Sequence, residues 1–114
     1  MKNRLVYLAM PYTHPDPIEN TNRAIQAAEL LISKKAGFTP YVPHLSLAWH
    51  LVYPHAVSFW YEYDLNILER CDCLLRLGGA SEGADREVEY ARQMGVPVFF
   101  SIEQLIEYDW GRHE

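Results

Sequence analysis

The chain has 114 residues, 49% of them apolar and 22% charged, with a formal charge of −5. That length supports one domain with a real core and no second independent one, and no apolar run approaches the roughly 20 residues of a membrane span. The lysines and arginines are few and scattered along an acidic chain, which argues against phosphate-backbone binding and so against a nucleic acid polymer as partner.

MKNRLVYLAM runs directly into strand-like sequence without a long apolar core or a small-residue cleavage site, so a cytoplasmic protein is expected. The first strand reads Arg4 to Ala9, rich in Leu, Val and Tyr. The loop MPYTHPDP then ends in Asp16, a good helix N-cap, with Pro17 at the first helical position and Glu19 placed for a capping box. Ile18, Thr21, Ile25, Ala28, Ile32 and Ala36 recur at helical spacing and predict one buried face, for a helix stopped by Gly37. Thr39 to Val42 is a short strand, and PHLSLAWHLVYPHAV after it is aromatic and irregular.

A second strong helix runs from about Ser58 to Arg70, followed by a strand from Cys73 to Leu77. A third helix covers roughly Ala84 to Met94, with Gly95 as its stop, and Pro97 to Phe100 is the last strand. Ser101 with Gln104 forms another capping box, opening a short helix through Tyr108. Cys71 and Cys73 have no second cysteine pair and read as two small thiols in or near the core.

Four strands, each followed by helical chain, predict a small doubly wound α/β fold of the flavodoxin or Rossmann kind, one domain over residues 1–114. Its parallel sheet should have the order 2-1-3-4. The winding then reverses between strands 1 and 3, and ligands bind at the carboxyl ends of the strands at such a point. The loops there are MPYTHPDP and GGASEG.

At about 100° per residue, Ala84, Val88, Ala91 and Gly95 share one side of the third helix, and Glu87 falls on that stripe while Asp85, Glu89 and Arg92 face away. On the second helix Asp64 falls among Tyr61, Leu65, Leu68 and Cys71, opposite Glu62, Asn66, Glu69 and Arg70. An unpaired inward carboxylate costs several kcal/mol or takes up a proton. Glu87 could be a first-turn acid favoured by the helix dipole or held by a buried arginine, and Asp64 could be bonded to a backbone N–H or a tyrosine. Together, a carboxylate pair bordering the crevice is what glycosyl chemistry uses. Gly78, Gly79 and Gly83 ahead of a helix, with the Ser81 hydroxyl, suggest an anion cradle, although the spacing fits neither G-x-G-x-x-G nor a P-loop.

Three blocks, VYLAMPY, YEYDLNILERCD and SEGADREVEYARQMGVPV, resemble the nucleoside 2-deoxyribosyltransferases and the related 2'-deoxynucleoside 5'-monophosphate N-glycosidases, over most of residues 5 to 100. The resemblance implies that Glu87 is the nucleophile, in the pattern G-x-x-x-E followed by the small residue Ala91. It implies that Asp64, in D-L-N, handles the proton of the leaving base, and that the Tyr7 hydroxyl orients the nucleophile. Ser81 stands where transferases acting on free nucleosides commonly carry Asp and the monophosphate hydrolases carry Ser, which leans towards a nucleotide. Substrate contacts are expected from Ala9, Pro11, Tyr12, His14, His44, Ser81 and Gly83. In the first loop Tyr12, Thr13 and His14 replace the Ser and Arg that those hydrolases offer to phosphate, and after strand 4 the family's extra strand and tail do not follow.

The implied reaction is displacement at C1' of a deoxyribosyl group through a covalent glycosyl-enzyme, resolved by water or by a second base. No cofactor is implied. Among His14, His44, His50, His55 and His113 no pair has the spacing of a zinc protease helix, so no metal is expected; His50 and His55 receive no role. FWYEY, Phe59 to Tyr63, reads as a base-stacking wall, a subunit interface or a plain hydrophobic helix, with the interface favoured because family members are commonly dimers or larger. The expected partners are a small nucleotide or nucleoside and further copies of the chain, not a membrane. The alternatives are a non-catalytic nucleotide-binding module with the same pocket, and a nucleoside-monophosphate phosphoribohydrolase, whose G-G-x-G-T-x-x-E resembles GGASEGADRE with two residues inserted.

Overall fold

A computed structural model describes residues 3–113. Four parallel strands, β1 (Arg4–Ala9), β2 (Phe38–Tyr41), β3 (Cys73–Arg76) and β4 (Val98–Phe99), form one sheet in the order β2-β1-β3-β4. The helices are α1 (Pro17–Lys34), α2 (Leu47–Val52), α3 (Val57–Leu68), α4 (Glu82–Gln93) and α5 (Ile102–Glu107), with 3-10 turns at Pro43–Ser46 and Trp110–His113. The predicted α/β fold and strand order are therefore both present. Strand β2 begins one residue earlier than the sequence suggests, and the irregular stretch contains the first 3-10 turn and α2.

Alternation along the strands divides the core. Val6, Leu8, Cys73 and Leu75 face Ala24, Ala28 and Leu31 of α1 and Ile102 and Leu105 of α5. Tyr7, Ala9 and Leu74 face Leu68 of α3 and Ala84, Val88 and Ala91 of α4. Burial on both faces is the rule for parallel sheets and explains strands that are apolar throughout. Cys71 and Cys73 are buried free thiols, and burial holds Cys71 up at about 12.

The buried face of α1 differs from the predicted one. Asn20, Ala24, Ala28 and Leu31 are buried, whereas Ile18, Ile25 and Ile32 are 63%, 40% and 52% exposed, and Ala36 is also exposed. The helix is turned by about a quarter of a revolution. Asn20 supplies the reason: its amide donates to the carbonyls of Tyr12 (3.0 Å) and His14 (2.9 Å), and that polar anchor faces Ala24 and Ala28 to the sheet, where small side chains permit close approach. Asp16 does cap the helix, accepting from Ile18 N–H at 3.2 Å. Glu19 does not close the predicted box; it pairs instead with Arg23 at 2.9 Å. At α5 Ser101 accepts from Gln104 N–H (3.1 Å), while the Gln104 side chain accepts from Phe100 N–H (2.9 Å), one residue outside the ordinary box.

Candidate active site

Parallel register sets Tyr41 of β2 beside Tyr7 of β1, on the sheet face covered by α3 and α4, with ring centroids 5.6 Å apart. Each helix brings one acid to one of these phenols. The Tyr7 hydroxyl donates to Glu87 Oε2, and the Tyr41 hydroxyl donates to Asp64 Oδ1 at 3.3 Å. Helical spacing does the rest: Ala84, Val88 and Ala91 bury the inner stripe of α4, so Glu87 is carried inward with them, and Leu68 and Cys71 do the same for Asp64 from α3 and its end.

The electrostatics follow from burial of two acids on one floor. Desolvation raises Glu87 to about 7; the Tyr7 hydrogen bond opposes this, the Asp64 charge adds to it, and Arg76 and Arg86 oppose it. Desolvation likewise raises Asp64 to about 7, against the Tyr41 hydrogen bond. Tyr7 is pushed well above the usual phenol range by burial and by Glu87, and Tyr41 is raised by burial and Asp64. Both phenols therefore stay protonated and act as donors. Each acid thus has one phenol donor and a raised pKa, so the two titrate as a pair near 7.

Above this floor a cleft of about 800 Å³ opens, within the range of small-molecule sites. It is lined by Asp64 and Glu87 and by Pro11, Tyr12, His14, His44, Ser81 and Gly83, so nearly all the predicted contacts share one space. Two predicted residues lie elsewhere. Ala9 is fully buried in the core beneath the cleft, and Tyr7, also fully buried, reaches the cleft only through Glu87.

The cleft's loops are locked in three ways. Gly78 has φ +84°, and a Cβ there would lie 2.8 Å from Pro11 Cδ, so close passage of the two switch-point loops requires glycine. Arg76, 9% exposed, donates to the carbonyls of Leu77 (2.6 Å) and Gly79 (2.8 Å) and approaches Asp85 in the first turn of α4 at 3.4 Å. A trans peptide sets N–H opposite C=O, so the Ala80 N–H points away from the guanidinium. Third, Ser81 is the N-cap of α4, accepting from Ala84 N–H at 3.1 Å, which leaves its own O–H free to donate. The helix thus starts earlier than predicted, and Gly83 lies inside its first turn.

His44, 3% exposed, donates from Nε2 to the Pro11 carbonyl at 2.8 Å and meets the Tyr12 ring edge-on at 5.5 Å. Among the described residues its buried Nδ1 has no partner, and burial lowers its pKa. Sequence reasoning missed Tyr41, Arg76 and His50. An arginine inside CLLRL was a readable signal, since a cation in a buried strand needs acceptors. Tyr41 needed the strand register.

No family profile and no curated protein matches the sequence. Solved structures do match the fold. One is the 2-deoxyribosyltransferase of Bacillus psychrosaccharolyticus, with TM-score 0.61 and 17% identity over 95% of this chain and 94% of that one. Another is the 2-desoxiribosyltransferase of Leishmania mexicana, with TM-score 0.62 and 18% identity over 84% of this chain and 62% of that one. The chain therefore has a nucleoside 2-deoxyribosyltransferase-like fold.

Proposed function

We propose that this chain is an enzyme that cleaves the N-glycosidic bond of a 2'-deoxynucleotide or 2'-deoxynucleoside through Glu87. The supporting observation is the pair Glu87 and Asp64, aimed from neighbouring helices into one cleft with environments that hold both near neutrality. The likeness to two deoxyribosyltransferase structures gives the fold a precedent for this chemistry.

In the first step a Glu87 oxygen attacks C1' while the C1'–N bond breaks, and the leaving base takes its proton from Asp64. In the second, water or another base attacks C1' of the glycosyl ester, gives its proton to Asp64, and frees the Glu87 carboxylate. Tyr7 positions Glu87 without meeting the substrate. The free Ser81 hydroxyl and the first turn of α4 suit a 5'-phosphate, as helix N-termini suit anions generally, which favours a nucleotide and hydrolysis. Such a substrate accords with a cytoplasmic protein.

Incubation with a panel of deoxynucleoside monophosphates and deoxynucleosides should release free base. Glu87→Ala should lower that release by at least ~10³. Tight nucleotide binding without turnover, unchanged in Glu87→Gln, would instead identify a binding module.

We also take the chain to be a homodimer or larger. Helix α2 has no buried residue, and Leu51, Val52, Tyr53 and Val57 at its end and beyond are 71%, 71%, 69% and 83% exposed, an apolar concentration suited to a subunit contact. Light scattering that returned a monomer's mass would rule this out.

A further inference from the structure

His50 and His55, which the sequence left without a role, join Trp60 of the FWYEY stretch in one wall of the cleft. Trp60 and Asp64 are four residues apart on α3, so they share a face and Trp60 lies about 6 Å further along the axis. The Trp60 indole N–H donates to His50 Nδ1 at 2.8 Å, and the backbone N–H of His55 donates to the same atom at 3.2 Å. A nitrogen that accepts from two N–H groups carries no proton, so the His50 ring proton sits on Nε2.

No described residue accepts that proton, and the half-buried His50 ring lines the cleft. The ring is held in place. It meets Trp60 edge-on at 6.0 Å, Trp60 meets Trp49 edge-on at 5.4 Å, and His55 stacks on Phe59 at 4.0 Å beside them. His50 Nε2–H is thus a fixed donor on an aromatic wall, oriented before any ligand arrives.

The lining residues fall into three groups: Ser81 and the start of α4, with donors suited to an anion; Glu87 and Asp64, further along α4 and α3; and an aromatic wall with one directional donor. A nucleotide has three matching parts: phosphate, sugar, base. Resting on the glycosidic reading above, we infer that the His50–Trp60 wall is the leaving-base subsite and that His50 Nε2–H selects an oxo group on the base edge away from the sugar. An amino group at that edge would bring donor against donor, leaving both without a partner.

The test compares bases that differ in that group and in the proton on the ring nitrogen beside it. Deoxyinosine against deoxyadenosine monophosphate, and deoxyuridine against deoxycytidine monophosphate, should show kcat/KM about 10- to 100-fold higher for the oxo member. His50→Phe, which keeps an aromatic ring but has no donor, should bring each ratio close to one by slowing the oxo substrate, and His50→Gln, which restores a donor, should recover part of it. Independently of turnover, long-range 1H–15N spectra should show His50 protonated on Nε2, with that resonance shifting when hypoxanthine or uracil is added. Trp60→Phe, which leaves only the longer His55 N–H contact on Nδ1, should weaken that tautomer preference.

Ratios unchanged in both His50 variants, or a ring proton found on Nδ1, would overturn the inference while leaving the glycosidic reading intact. Free bases that shift Nε2–H in a protein that releases no base would uphold the subsite and defeat that reading. A protein that neither binds nor cleaves any of them defeats both.

Discussion

Glu87 and Asp64 have the same side-chain chemistry and both lie near 7 through burial, so the division of labour proposed for them would rest on the donors beside them. Tyr7 bonds Glu87, and Tyr41 approaches Asp64 from 3.3 Å. The reactive state carries one proton on the pair, which gives kcat/KM a bell centred near 7. In Tyr7→Phe the Glu87 anion loses its donor, so the acid limb should move to higher pH and the rate at neutral pH should fall by ~10- to 100-fold. A pH profile identical to wild type would show that Tyr7 does not position Glu87. Both acids were legible in the sequence because 100° per residue places them among Ala, Val and Leu. Arg76 and Tyr41 were less so, since their roles depend on a loop's carbonyl directions and a strand register that no local pattern encodes.

At the scale of elements, strand order and four of the five helices followed from alternating apolar runs and caps, but α2, inside the irregular aromatic stretch, and the rotation of α1 did not. Its isoleucine stripe is the stronger hydrophobic signal, yet Asn20 holds the first loop and brings Ala24 and Ala28 to the sheet. Side-chain anchoring outweighed apolar periodicity. The β3–α4 loop gives a sharper contrast between two adjacent glycines. Gly78→Ala should cost about 1–3 kcal/mol, from a positive φ and a clash with Pro11. Gly79→Ala should stay within about 0.5 kcal/mol, because a Cβ there meets nothing within 4 Å. Thermal midpoints of the two variants check this, and equal midpoints would mean that the loops do not pass as closely as described.

Across the whole molecule the site is a stability cost. Unfolded carboxyls titrate near 4, whereas Glu87 in the fold titrates at about 7. Between those values the folded state keeps a proton that the unfolded state has lost, so stability falls as pH rises through the window, and the full cost persists above it. Glu87→Gln removes the charge, so it should melt about 5 °C above wild type on the alkaline side and converge with it below about pH 4. A variant less stable at high pH would contradict the desolvated acid. Buried His44 acts in the opposite direction: with its folded pKa lowered, it costs stability as pH falls below the ordinary histidine value of about 6.5. The radius of gyration, 13.8 Å, is close to that of one compact ~100-residue unit. The apolar surface left on α1 and α2 is what a monomer does not explain.

The proposed reaction requires a transient bond between Glu87 and C1' of the sugar. Rapid acid quenching during turnover of a deoxynucleotide, followed by peptide mass analysis, reads that bond directly. The expected result is a peptide containing Glu87 that is heavier by the deoxyribosyl group of the substrate and absent in Glu87→Gln. Steady release of base with the Glu87 peptide unmodified, and the added mass found on Asp64 or on no residue, would contradict the account.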